Sequence, residues 1–174
     1  SPQGGAAPPL TDEVITKFRA ACETHRQALW VVHTPYYINL ASAEARTREN
    51  SARIIREELD RASLIDATYV MTHLGSAKDV GEEQGRAHVI EGLRRVLDGY
   101  TGSAQFLIEI SAGAGAVIGG TFEEIAEIIT EVECGIPTPS TPPPGGRGRK
   151  ESDNFTAMNP REKNDFLPLQ FGGG

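Results

Sequence analysis

The sequence predicts an α/β fold built from three successive parallel strand–helix units, followed by an irregular tail. Three observations lead there. Short apolar, β-branched runs alternate with longer stretches of helical period, the pattern of βαβ units on a parallel sheet. Each apolar run closes on a ligand-type residue, His33, His73 and then Glu109. Their spacing is close to the roughly 30 or more residues of one strand–helix unit in a (β/α) barrel. From Gly135 onward, proline and glycine replace the periodicity.

The elements follow in order. Residues 1–10, "SPQGGAAPPL", are Gly/Pro-rich and read as a loop. Thr11 is an N-cap candidate for a helix whose stripe is Val14, Ile15, Phe18, Ala21 and Cys22. "ALWVVH" reads as the first strand. Residues 44–63 form an amphipathic helix with Ala52, Ile55, Leu59 and Ala62 on its apolar face. Arginines 46, 48, 53, 56 and 61 are expected on its solvated side. "DATYVMTHLGS" is the second strand, ending in His73 and Gly75, and "GRAHVIEGLRRVLDGY" is a helix stopping at Gly99. "AQFLIEISAGAG" is the third strand. "TFEEIAEIITEVE" is the fourth helix, with Thr121 and Glu124 spaced as a capping box. This divides the chain into a folded unit, 1–134, and a low-complexity tail, 135–174, too poor in aliphatic residues to offset its ordering entropy.

Composition narrows the function classes. The 174 residues suffice for one domain. No run approaches the roughly 20 apolar residues of a membrane helix, no leader-type segment opens the chain, and the two cysteines form no CxxC pair. A cytoplasmic location without membrane contact is expected. The net charge of −7 falls entirely within residues 1–132. Such an acidic unit is a poor general binder of nucleic acid and needs metal ions or a local patch to approach phosphates.

The informative words stand at the strand ends. "VVHTPYYINLAS" delivers His33, Tyr36, Tyr37 and Asn39 to one place. Two imidazoles and a carboxylate at the C-terminal ends of consecutive parallel strands make a zinc-type ligand set with room for water. Taken singly, each is equally a capped or solvated side chain, and spacing alone leaves both readings open. His25 and His88 fall in helices and are expected at the surface. Trp30 and Tyr37 are expected to pack, and Asn39 either orients a ligand or satisfies a turn. "GAGAVIGG" lacks the Lys-Ser/Thr of a P-loop and the spacing of a dinucleotide fingerprint.

"HTPYYINLAS", "THLGSA" and "FLIEISAGAG" followed by "GGTFEEIAEII" resemble successive blocks of the endonuclease IV family over about residues 1–132. The resemblance implies a partial TIM (β/α)8-type barrel of the xylose isomerase-like kind. It also implies a zinc-dependent apurinic/apyrimidinic endonuclease of base-excision repair. His33 and His73 match the histidines that ligate one zinc. Glu109 matches the glutamate that completes that shell and bridges to a second, and Tyr36 matches the tyrosine that enters the DNA minor groove. The implied reaction is hydrolysis of the phosphodiester 5′ to an abasic site in duplex DNA, with up to three zinc ions. No obligate protein partner is implied.

The sequence also departs from the family. Gln3, Gly4 and Gly5 stand where the family carries an arginine and an aromatic, and Ala77 where a further histidine is usual. Ile110 and Ala114 replace polar residues beside Glu109, the block Asp-Thr-Cys-His-Ala is absent, and no histidine follows His88. One well-formed zinc site at most, and impaired activity, are therefore expected. Codons for the absent block, read one base later, give Thr-Pro-Ala-Thr-Pro, near Thr138-Pro139-Ser140-Thr141-Pro142. The tail is thus either frameshifted or simply Pro-rich. Two further readings compete: a sugar isomerase or epimerase-like barrel, and a non-catalytic metal-binding remnant.

Overall fold

A computed structural model describes residues 8–112 and 115–135. The expectations for Gln3, Gly4, Gly5, Ala114 and the tail from residue 136 lie outside them. Seven elements occur in the expected order: α1 (Asp12–Thr24), β1 (Val31–His33), α2 (Ala45–Leu64), β2 (Tyr69–Thr72), α3 (Glu82–Leu97), β3 (Gln105–Ile108) and α4 (Phe122–Gly135). The strands form one parallel sheet in the order β1-β2-β3. Each strand is followed by a helix, the repeating unit of a TIM barrel. The last helix, α4, ends on Gly135.

The sheet is packed on one side. Val70 and Phe106 are buried and, with Ile55, Leu59 and Leu93 from α2 and α3, belong to the core, and Thr72 is buried beside them. Period-2 alternation sends Tyr69, Met71 and Leu107 to the opposite face, where they are half-buried. The apolar face expected on α2 is buried in full, Ala52, Ile55, Leu59 and Ala62 together with Ser51. The α1 stripe behaves otherwise. No α1 residue is buried, and Val14 and Phe18 are exposed. Phe18 meets Trp30 edge-on at 5.5 Å, and Arg19 pairs with Asp66.

The caps follow local chemistry. Thr11 Oγ1 accepts the Val14 amide, as its N-cap position requires. Thr121 Oγ1 accepts the Glu124 amide, but the Glu124 carboxylate turns to the amides of Gly119 and Gly120, both at 2.9 Å. That carboxylate fills the glycine loop from within, so those two amides already have an anionic partner. Arg56 is a correction to the solvated-face reading. Its guanidinium donates to the carbonyls of Val96, Asp98 and Gly99 and lies 5.2 Å from the Tyr100 ring centroid. It caps the C-terminus of α3.

Candidate metal centre

Sheet register carries His33, His73 and Glu109 to one end of the fold. His33 lies opposite Met71, and Thr72 opposite Ile108. The ladder runs on past the named strands, with the Thr34 amide donating to Met71 O at 2.9 Å and the Glu109 amide to Thr72 O at 2.8 Å. Continuing the alternation, Thr34 and Thr72 turn to the helix side and are buried. His33, His73 and Glu109 turn to the open face, at the C-terminal ends of three adjacent strands.

One nitrogen of each histidine and one Glu109 oxygen lie within 4.8 Å of one another. His33 Nε2 is 2.6 Å from Glu109 Oε2, and the two imidazole centroids are 5.9 Å apart. The other ring nitrogens are tied to backbone, His33 Nδ1 to Thr34 O at 2.6 Å and His73 Nε2 to Tyr36 O at 2.8 Å. Both bonds end on carbonyls, so those nitrogens carry the hydrogens and the opposite nitrogens are left as donors to a cation. His33 has an acceptor at each ring nitrogen. Its hydrogen bond to Glu109, then the Thr34 carbonyl, raise its pKa above the usual 6.5 against a smaller opposing effect of burial.

The donor set suits zinc. Tetrahedral ligands at about 2.0–2.2 Å from an ion stand roughly 3.4 Å from one another. The His33–Glu109 pair must therefore open by under about 1 Å, a side-chain adjustment for two groups that are each 41% exposed. Among the described residues, no other group of His, Cys, Asp and Glu has this form.

The rim is stitched together by Asn39. Its Oδ1 accepts the amides of Ala41 and Ser76 at 3.0 and 3.2 Å, and its Nδ2 donates to Ser76 O. The loops after β1 and β2 are thereby joined, which favours the turn-satisfying reading of Asn39 over the ligand-orienting one. Gly75 is required for this approach. Its φ is +106°, and an added Cβ would stand 2.2 Å from Asn39 Oδ1. Tyr36 projects from the same rim, 80% exposed, with the Tyr37 ring edge-on at 6.0 Å. Ile110 is exposed beside Glu109, whereas Ala77 is fully buried.

His25 is exposed and His88 half-buried on α3; neither approaches the cluster's donor set. Sequence reasoning passed over Thr34 and Thr72. Their signal was the pair of words "HT" and "TH", which place a β-branched hydroxyl next to each histidine on the opposite face of its strand.

Comparison with known proteins places this geometry in context. The family described as xylose isomerase-like TIM barrel matches residues 1–136. A probable endonuclease 4 of Carboxydothermus hydrogenoformans is 37% identical over 139 residues, 78% of this chain and 49% of that protein. One from Chloroflexus aurantiacus is 37% identical over 125 residues, 70% of this chain and 43% of that protein. Endonuclease IV from Thermus thermophilus superposes with a TM-score of 0.61 at 29% identity, over 74% of this chain and 46% of that one. A D-tagatose 3-epimerase-like protein shares the fold, with a TM-score of 0.57 at 21% identity over 69% of this chain and 46% of that one. The chain spans about half the length of the curated relatives it matches.

Proposed function

The chain belongs to the xylose isomerase-like TIM-barrel family, and on that premise we propose that it is a zinc-dependent endonuclease of the endonuclease IV type, directed at abasic sites in duplex DNA. The observation that carries the proposal is the convergence of His33, His73 and Glu109 at the ends of three adjacent parallel strands. The likeness to proteins named endonuclease 4 supports the nuclease class over the epimerase class. The epimerase-like neighbour is similar in fold alone.

His33, His73 and Glu109 would hold the ion, one donor each. A zinc ion there supplies Lewis acidity to a phosphate oxygen and acidifies water at neutral pH. The remaining chemistry belongs to the chain. The Thr34 and Tyr36 carbonyls orient the two imidazoles. Glu109 supplies the one negative charge among the three ligands, leaving the loaded centre cationic in an acidic protein. Tyr36 offers an exposed ring for stacking at a gap in the base stack. Its backbone is hydrogen-bonded to His73, so the ring and the ligand are mechanically connected.

The test combines metal analysis with incision of a duplex carrying one abasic site. Zinc binding that Glu109→Gln weakens, with zinc-dependent cleavage 5′ to the lesion, is the expected result. Sugar turnover without cleavage would replace the proposal with an isomerase or epimerase function. Zinc binding with neither activity would leave a metal-binding remnant.

A further inference from the structure

We propose that Thr34 and Thr72 are positioning residues for this centre, their hydroxyls forming a buried latch that fixes the ends of β1 and β2 beneath the ligands. The inference rests on the metal-site reading above and goes beyond it to residues that touch no ion.

The two hydroxyl oxygens are 2.6 Å apart, and the residues are 2% and 0% exposed. Proton counting gives the bond a direction. Each threonine has one hydroxyl hydrogen. Thr72 donates its own to His73 O at 3.1 Å. The hydrogen between the two oxygens must then come from Thr34. The order is Thr34 O–H to Thr72 Oγ1, and Thr72 O–H to the His73 carbonyl.

All three ligand residues meet this pair. Thr34 O holds the His33 ring at Nδ1. The Thr72 hydroxyl holds the His73 carbonyl, and Thr72 O accepts the Glu109 amide. The Thr34 amide is itself pinned to Met71 O. A slip between the ends of β1 and β2 would change the separation of His33 from both His73 and Glu109 at once. The hydroxyl bond resists that slip from the dry side of the sheet, where no water competes for it. Asn39 joins the same two segments further out along the loops, so the strand ends are tied at two levels.

The direction of the chain sets the order of effects. Thr72→Val removes the central oxygen, breaks both bonds and leaves the Thr34 hydroxyl buried without a partner. Thr34→Val breaks one bond and leaves Thr72 donating to His73. Thr72→Ser keeps the hydroxyl and removes only a methyl group.

The experiment uses the full 174-residue chain with two readouts. The first is metal-free amide hydrogen exchange at Thr34 and Glu109 against Val70 and Phe106, deeper in the sheet. The second is zinc affinity by competition with a chromophoric chelator. Thr72→Val should speed exchange at Thr34 and Glu109 while leaving Val70 and Phe106 unchanged. It should weaken zinc by about tenfold or more, the usual range for groups that orient ligands. Thr34→Val should show a smaller effect of the same kind, and Thr72→Ser should behave as the unmodified chain.

Equal exchange and equal zinc affinity in all variants would overturn the latch while leaving the metal reading intact. Uniform acceleration at all four amides would also overturn it, by making the pair ordinary core packing. Selective acceleration in Thr72→Val, together with an unmodified chain that takes up no zinc, would keep the latch and remove the metal reading. Should Thr72→Val fail to fold, Thr34→Val and Thr72→Ser decide the matter by the same readouts.

Discussion

His33 meets an acceptor at each ring nitrogen, Thr34 O and Glu109 Oε2, so below its raised pKa a proton occupies the nitrogen that would face a cation. The raised pKa has two consequences of opposite sign. The His33–Glu109 attraction is fully present below about pH 6.5, the unfolded value, and is lost as pH rises through the folded pKa. Both side chains are 41% exposed, so its share of stability is small and screened by salt. Zinc must displace that proton. Its affinity should therefore fall as pH drops through the raised pKa, by about tenfold per unit for one proton released. Zinc titrations at about pH 8 and about pH 6 check this, and equal affinities at the two would contradict it. Glu109→Gln keeps the shape but removes the charge, and should weaken zinc by more than the same pH step in the unmodified chain.

At the scale of elements, two substitutions separate local reading from tertiary fact. Arg46 and Arg56 stand on the same helix and look alike in sequence. Arg46 is exposed, while Arg56 closes the end of α3 through three carbonyls. Arg56→Met should cost about 1–3 kcal/mol in urea unfolding, and Arg46→Met within about 0.5 kcal/mol. Equal effects would show that the α3 cap adds nothing. Gly75→Ala places a methyl against Asn39 at a φ of +106° and should cost about 1–3 kcal/mol. It should also weaken zinc, because the displaced loop follows directly after His73. A variant as stable as the parent would mean that the Asn39 contact is readily given up.

For the whole molecule, the three-stranded sheet has helices on one face only among the described residues, and Val31 on the other face is 44% exposed. Among the described residues, one cluster of two histidines and a glutamate lies on that face. Two-metal sites clamp both the attacking and the leaving oxygen of an in-line displacement, and a single ion can serve one of them. The 174-residue chain should accordingly bind about one zinc per molecule and cleave abasic duplex slowly. Metal analysis with single-turnover incision measures both quantities. Fast cleavage with two or more zinc ions per chain would show that residues beyond this cluster supply ligands.

Much of this was legible in the sequence because it depends on period and spacing. Strand–helix alternation ordered the seven elements, the apolar stripe of α2 named its buried face, and the unit-length spacing of His33, His73 and Glu109 put each at a strand end. Those signals are local, since side-chain direction follows from backbone period. Register and burial are not local. Only the packed sheet decided that Thr34 and Thr72 meet, that Arg56 turns inward while Arg46 does not, and that Asn39 spans two loops. The α1 stripe makes the same point in reverse. Its helical period was readable, yet whether an apolar face is buried depends on what packs against it, and no residue of α1 is buried.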